Sequence, residues 1–434
     1  MKGFSAIMDT VLILPVNPLM IIPFVLLLLS IAVVPLINKE WWDKNYFYPA
    51  FGFGIIAIIY YIFILKNASR MAHTGFEYIS FITLIGSLFV VSGGIHITIK
   101  GRSTPHANVI LLAIGAIVSN IVGTTGASML LIRPYLKANK YRLNAYHVVF
   151  FIFIVSNIGG ALTPIGDPPL FLGYLKGIPF FWLIGKAWHI WAITIGLVLT
   201  VFYFTDFYHY SKVRRKLREQ VEAKGEEAKV SGLHNIIFLL IILLAVFINE
   251  PKLLREAIMI AAAIGSYFIT KKEVHESNDF NFLPIKEVAV LFAGIFATMV
   301  PCLDWLELNA GKLGIKTPGE FYWGTGILSS VLDNAPTYLN FLSASFGLHN
   351  LQLDSQAHMK IFLEEHWKYI QAISISAVFF GATTYIGNGP NFMVKSISEQ
   401  AGAECPSFFG YIIKYSLPIL IPIFALVWWM FFRS

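Results

Sequence analysis

Charged residues are scarce in this chain of 434 residues: Asp, Glu, Lys and Arg make up 13% of it, whereas soluble domains contain about 25%. Apolar residues make up 56% and aromatic residues 15%. This composition excludes an ordinary soluble domain and indicates an all-α polytopic protein of the lipid bilayer. The net charge of +7 does not indicate nucleic-acid binding, because Lys and Arg lie mostly in short segments between apolar runs, where they set orientation.

Cysteine and the common catalytic motifs are also scarce or missing. Cys302 and Cys405 are the only cysteines and lack metal-ligand spacing, so a disulfide framework and a zinc site both have little support. The sequence contains no Gly-x-Ser-x-Gly, no His-Glu-x-x-His and no Walker A motif. We therefore expect no enzyme, no cofactor and no ATP-driven pump.

Long apolar runs, in contrast, are abundant. Eight of them approach the roughly 20 residues that cross a hydrocarbon core: 19–37, 48–65, 76–99, 184–207, 233–248, 254–270, 285–302 and 410–432. Four more are interrupted by Gly, Pro and polar residues: 105–135, 144–177, 321–348 and 369–397. We interpret 105–135 and 321–348 as re-entrant hairpins, and 144–177 and 369–397 as broken transmembrane helices.

The basic residues fix an orientation for these segments. Lys and Arg cluster in 208–232, which we place in the cytoplasm. If the two hairpins enter without crossing, most of the 32 Lys and Arg residues lie on the cytoplasmic side. The first hairpin then enters from the cytoplasm and the second from outside, so the two halves are inverted.

An internal repeat supports the inversion. Segment 160–169 (GALTPIGDPP) matches 381–390 (GATTYIGNGP) at six of ten positions, with Asp167 opposite Asn388. More loosely, 119–127 aligns with 329–337, one hairpin tip over the other. Paired broken helices in a weakly symmetric chain are typical of a secondary transporter whose binding site lies between the repeats.

These residues resemble the ion transporter superfamily, the inverted-repeat fold of dicarboxylate and citrate carriers, arsenite efflux pumps and NhaD-type sodium/proton antiporters. The Asp-Asn-x-Pro sequence at Asp333 and the Thr-Pro-Ile-Gly-Asp-Pro sequence at Thr163 are similar to the antiporter branch. Antiporters of this type usually carry an acid in the first hairpin too, at the position of Gly123 here. The resemblance implies a scaffold domain that forms a homodimer and a transport domain that moves against it in an elevator-type mechanism.

The expected domains follow from this division. Scaffold helices lie in 1–104, the first half of the transport domain in 105–210, a linker with further scaffold helices in 211–320, and the second transport half in 321–434. We expect location in the inner membrane of a prokaryote.

Oxygen-bearing side chains in the interrupted segments are the expected ligands of a sodium ion. They are Ser119, Asn120, Thr124, Thr125, Asn157, Thr163, Asp167, Asp333, Asn334, Thr337, Thr383, Thr384, Asn388 and Asn391. Burial favours the neutral form of a carboxyl group and a nearby cation favours the charged form. Asp167 and Asp333 are therefore expected to carry Na⁺ and H⁺ in turn, which gives Na⁺/H⁺ exchange by alternating access.

Other interpretations stay open at this point. Asp167 could cap the helix that follows it, and Asp333 could serve only a turn. Sodium-coupled symport of citrate or a dicarboxylate is the second candidate function, although the quoted motifs contain acids and no Lys or Arg, with Arg133 and Lys395 just beyond these motifs. Arsenite efflux is the third, and a channel is a further alternative.

Overall fold

The computed structural model describes residues 13–98, 104–212, 229–248 and 250–433, so the basic segment 213–228 lies outside the described residues. The helices are α1 (Ile22–Ile37), α2 (Lys39–Asn45), α3 (Phe47–Ile59), α4 (Ala68–Gly93), α5 (Pro105–Ala138), α6 (Ala145–Ile154), α7 (Pro168–Leu175), α8 (Trp182–Lys212), α9 (Asn235–Ala245), α10 (Leu254–Ile269), α11 (Lys272–Ser277), α12 (Leu283–Asn309), α13 (Pro318–Val331), α14 (Asn334–Leu348), α15 (Gln356–Glu365), α16 (Trp367–Phe380), α17 (Gly389–Gln400), α18 (Phe408–Tyr411) and α19 (Ile421–Phe431).

Short helical pieces extend or connect several of these. Pieces of 3₁₀ type are Pro18–Ile21, Lys140–Arg142, Ile158–Gly160, Ala310–Lys312 and Gly381–Thr383, and π-helical pieces are Tyr60–Ile64 and Ile412–Leu420. Two short strands, β1 (His96–Thr98) and β2 (Lys229–Ser231), pair antiparallel with His96 opposite Ser231. The span predicted at 76–99 is therefore shifted toward the N-terminus: α4 runs from Ala68 to Gly93, and Gly94 stands at its C-cap before the strand begins.

Within the described residues, seven helices are long and apolar enough to cross a membrane. By length and composition they are Pro18–Ile37, Phe47–Ile64, Ala68–Gly93, Pro105–Ala138, Trp182–Lys212, Leu283–Lys312 and Phe408–Phe431, of which Pro105–Ala138 is interrupted at Gly123. The predicted class, an all-α polytopic membrane protein, is confirmed. The predicted spans at 233–248 and 254–270 correspond to the shorter helices α9 and α10, of 11 and 16 residues.

The first hairpin is α5, which does not run straight through the molecule. Gly123 has φ 80° and ψ 156°, which interrupts the helix. Asn108 Nδ2 donates to Asn139 Oδ1 (2.8 Å), and Asn139 Nδ2 donates in return to Asn108 Oδ1 (2.9 Å). In a straight helix these residues would be about 45 Å apart at 1.5 Å per residue, so the two arms fold back on each other.

The second hairpin consists of α13 and α14, joined at Leu332 and Asp333. The rings of Phe321 and Phe341 meet edge to face across its arms, with centroids 6.2 Å apart. Both hairpins begin with Thr-Pro: Thr104 caps α5 and Thr317 caps α13 through its side chain. A Thr cap followed by Pro suits a helix start, because Pro lacks only an N–H that the first turn leaves unpaired.

The two broken helices lie at the centre of the molecule. The first consists of α6, an irregular stretch and α7, and the second of α16, an irregular stretch and α17. Every side chain in 146–161 and in 370–385 is buried. Irregular backbone at membrane depth is stable where protein surrounds it, and both breaks meet this condition.

Candidate functional site

The same hydrogen bonds attach each broken helix to the hairpin of its own half. Thr163 Oγ1 donates to the carbonyl of Asn120 (2.6 Å) and accepts from the amide of Gly166 (3.0 Å). In the second half, Thr384 Oγ1 donates to the carbonyl of Ser330 (2.5 Å) and accepts from the amide of Gly387 (3.1 Å). These four hydrogen bonds join equivalent positions of the sequence repeat. The repeat in the sequence is therefore also a repeat in the three-dimensional structure.

The carboxylate of Asp167 lies where both hairpin tips and the second break meet. Thr124 Oγ1 donates to Oδ1 of Asp167 (2.7 Å), and Asn388 Nδ2 donates to the same oxygen (3.0 Å). Asn334 Nδ2 donates to Oδ2 (2.5 Å). Thr124 and Asn334 occupy equivalent positions at the two tips, so symmetric positions of the repeat converge on one acid that only the first half possesses.

Asp167 is 1% exposed and its three hydrogen-bond donors are all neutral. Among the described residues, no Lys, Arg or His nitrogen forms an ion pair with it. A buried carboxylate normally has a charged partner or holds a proton. This site can therefore accept either a cation or a proton.

Asn334 adds a second oxygen to this position. Its Nδ2 group binds Asp167, while its Oδ1 atom is buried and has no hydrogen-bond donor in the part of the chain that is described. Buried polar atoms without a hydrogen-bond partner are rare in protein structures. An amide oxygen beside a carboxylate is an arrangement that a hard monovalent cation would complete.

The two acids differ in what their side chains do. Asp167 stands at the N-cap of α7, but its side chain makes no capping hydrogen bond and is turned to the site. Asp333 is half-buried, and its Oδ1 atom accepts from the amide of Ala335 (3.0 Å) at the start of α14. The capping interpretation therefore fails for Asp167, whereas a local capping role is observed for Asp333.

Asn157, Asn388 and Asn391 form a hydrogen-bonded group next to Asp167. Asn157 Nδ2 donates to Asn391 Oδ1 (2.7 Å), and Asn388 Nδ2 is 3.2 Å from Asn157 Oδ1. Asn391 Nδ2 donates to the carbonyls of Gly381 (2.8 Å) and Thr384 (2.9 Å). These bonds join the two breaks to each other, so they fix the position of Asn388 against Asp167.

Most of the remaining predicted residues bond to the backbone, and none of them forms a hydrogen bond to Asp167 in the described part of the chain. Ser119 Oγ donates to the carbonyl of Val155 (2.7 Å), and Asn120 Oδ1 accepts from the amide of Leu162 (2.9 Å). Thr337 Oγ1 and Thr383 Oγ1 donate to carbonyls of their own helical turns, those of Asp333 and Phe380. Thr125 is half-buried and is not among the donors to Asp167. Of the fourteen predicted residues, the structure brings Thr124, Asn334 and Asn388 to the acid.

The backbone at Gly123 explains why the first hairpin tip carries no acid there. With φ 80° and ψ 156°, this residue lies in a region that is essentially restricted to glycine. Asp333, at the equivalent position of the second tip, has φ −54° and ψ 136°, which any residue can adopt. The two hairpin tips therefore differ in backbone conformation as well as in the presence of an acid.

Sequence reasoning missed a group of buried charged residues, here named the charge cluster: Arg70, Glu77, Lys176, Asp304 and Asp354. Arg70 binds Asp304 (2.8 Å) and Asp354 (2.7 Å). Lys176 binds Asp354 (2.5 Å) and Glu77 (2.8 Å). The available signal was the position of Arg70 and Asp304 inside apolar helices, where a charge is expensive unless it is paired.

A comparison with protein families gives a match that covers nearly the whole chain. The profile of the family described as "Putative citrate transport" matches residues 14–432. A search of curated proteins gives no match. The family match includes both hairpins, both broken helices and every residue that contacts Asp167.

Proposed function

Because the chain belongs to the citrate transporter family, we propose that this membrane transporter is a secondary carrier that exchanges Na⁺ for H⁺ at Asp167. The observation that carries the proposal is the environment of this carboxylate, which is buried, bound by three neutral donors and without a basic partner among the residues that the structure describes. Such a group is stable with a cation beside it or with a proton on it. The two states exclude each other, as exchange requires.

The neighbours of Asp167 suit both states. In the charged state the carboxylate accepts from Thr124, Asn388 and Asn334. When Asp167 is protonated, it must donate one hydrogen bond. Rotation of the Asn334 amide would present its Oδ1 atom to this proton, and rotation of the Thr124 hydroxyl would offer a second acceptor. Neither change requires movement of the backbone.

Alternating access further requires that the site face each side of the membrane in turn. We propose that the hairpins and broken helices in 105–210 and 321–434 form the transport domain. The helices in 1–104 and 211–320 then form the scaffold. The hydrogen bonds between Asn157, Asn391 and Asn388 support this division, because they tie the two transport halves into one unit.

Transport of citrate is the second candidate function, and the description of the matched family favours it. A carboxylated substrate would have to approach Asp167, which repels an anion unless a cation or a proton neutralises it first. Citrate symport is therefore compatible with the site only if cation binding precedes substrate binding. Both functions then use the same first step.

Purified protein in liposomes separates the two functions. A pH-sensitive dye inside the vesicles reports proton movement when Na⁺, Li⁺, K⁺ or citrate is added outside. We expect Na⁺ alone to drive proton movement, and Asp167→Asn to abolish it. Uptake of labelled citrate that requires Na⁺, in vesicles where Na⁺ alone moves no protons, would reject exchange and favour symport.

A further inference from the structure

The charge cluster joins the two domains that the proposed function sets in motion. Arg70 and Glu77 lie on α4 and Asp304 lies on α12, all within the proposed scaffold. Lys176 directly follows α7 and Asp354 follows the second hairpin, both within the proposed transport domain. The ion pairs between these two groups therefore cross the boundary between the domains.

Two contacts cross this boundary. Arg70 Nη1 is 2.7 Å from Asp354 Oδ2. Lys176 Nζ is 2.8 Å from Glu77 Oε1 and 3.0 Å from Glu77 Oε2. The side chains of Arg70, Lys176 and Asp354 are at most 5% exposed, so water screens these pairs little.

Two further contacts stay within one domain. Arg70 binds Asp304 through two nitrogens, Nη2 at 2.8 Å and Nε at 3.0 Å, inside the scaffold. Lys176 Nζ lies 2.5 Å from Asp354 Oδ1 inside the transport domain. If the domains separate, each keeps one oppositely charged pair. Burying an ion pair costs far less free energy than burying a single charge. The domains can therefore separate without leaving Arg70 or Lys176 unpaired.

Glu77 is the member that loses its lysine on separation and keeps, among the described residues, only His73 Nδ1, 3.8 Å away on the same helix, and an open cavity beside it can hold water. It lines an open cavity of about 270 Å³ together with His73, Leu175 and Arg255. Its side chain is already 12% exposed, more than any other member of the cluster. A carboxylate beside an open cavity can be hydrated as soon as the lysine moves away.

We propose that the charge cluster is a reversible latch that stabilises the conformation described here, with the Lys176–Glu77 and Arg70–Asp354 pairs breaking each time the transport domain moves. The inference rests on the proposed division into scaffold and transport domain. It concerns the balance between conformations and is independent of which ion the site carries.

Distance measurements between the domains test the latch. Spin labels are placed on Ala68→Cys in the scaffold and Lys360→Cys in the transport domain, both exposed positions, in a Cys302→Ala, Cys405→Ser background. Glu77→Gln keeps the shape of the side chain and removes the charge that Lys176 meets. We expect the ratio of separated to latched distances to rise about tenfold in Glu77→Gln, which corresponds to a coupling of about 1.4 kcal/mol for the charge pair between the two surfaces.

The matched control is Glu399→Gln. It breaks the exposed Lys395–Glu399 pair, which lies within the transport domain, and should leave the distances unchanged. A second variant, Asp354→Asn, removes the crossing pair with Arg70 and also the charge that Lys176 keeps after separation, so the ratio should rise less than in Glu77→Gln. Distances that stay the same in Glu77→Gln, or a ratio that rises further in Asp354→Asn than in Glu77→Gln, overturn the latch. If the distances shift while no ion drives exchange in liposomes, the latch stands and the proposed function fails.

Discussion

Replacement of Asp167 by asparagine is the most informative single perturbation of this protein. The substitution keeps the size of the side chain and removes its charge. Thr124 and Asn388 both donate to Oδ1 of Asp167, and an amide oxygen can accept both bonds. The new amide nitrogen would face Asn334 Nδ2, now 2.5 Å from Oδ2 of Asp167. Rotation of the Asn334 amide relieves this conflict, because its Oδ1 atom has no donor within the described part of the chain.

The fold should therefore tolerate the change. The variant exchanges one hydrogen bond for another, and a net hydrogen bond contributes about 1 kcal/mol to stability. We expect its free energy of unfolding to stay within about 1 kcal/mol of the wild type. Thermal unfolding in detergent, with and without Na⁺, measures this and shows whether any loss of transport is a loss of folding.

Ion binding should change much more. A ligand that loses its charge gives up about 1.5 to 3 kcal/mol, which corresponds to a rise of roughly 10- to 150-fold in the half-saturating Na⁺ concentration. Proton coupling should disappear at every Na⁺ concentration, because the variant cannot carry the proton. Sodium-driven pH changes in liposomes measure both quantities, with Glu399→Gln as a control outside the site. A well-folded variant with normal Na⁺ dependence and normal proton movement would refute the assignment of Asp167.

Two further sets of variants test the architecture of the site through thermal unfolding. Thr163→Val and Thr384→Val each remove a hydroxyl that ties a break to a hairpin, and each should lower the free energy of unfolding by about 1 to 3 kcal/mol. Thr384→Val should cost more, since the amide of Gly166 keeps a backbone bond to the carbonyl of Thr163 (3.0 Å); equal losses would argue against this difference. Gly123→Ala and Gly123→Asp should each cost about 1 to 3 kcal/mol, because only glycine suits φ 80° and ψ 156°; a stable alanine variant would contradict the backbone explanation.

Much of the fold could be predicted from the sequence because its signals are local. Apolar runs fix the spans, and Thr-Pro, Gly and Pro residues fix where hairpins begin and helices break. Six identities between 160–169 and 381–390 were enough to predict paired breaks, and the bonds of Thr163 and Thr384 confirm their equivalence. The extents of α4, α9 and α10 were the exceptions; Gly94, for example, ends α4 inside an apolar run.

The roles of individual polar residues depended on contacts between distant segments. Asn334 and Asp167 are 167 positions apart in the chain, and no local pattern predicts that they meet. Two acids that looked alike in the sequence proved different, because one side chain points into the site and the other accepts from the amide of Ala335. The charge cluster was missed for the same reason, since Arg70 and Asp354 are brought together only by the packing of α4 against the end of the second hairpin.

The sequence by itself thus determined that this chain crosses the membrane, that it contains two related halves, and that Asp167 lies in a break between apolar segments. Only the tertiary structure decided that the carboxylate of Asp167 receives a donor from each hairpin tip and from Asn388, and that none of these donors is charged. The physical reason is that hydropathy and backbone preference act over a few residues. The balance of charge around a buried acid depends on every segment that packs against it.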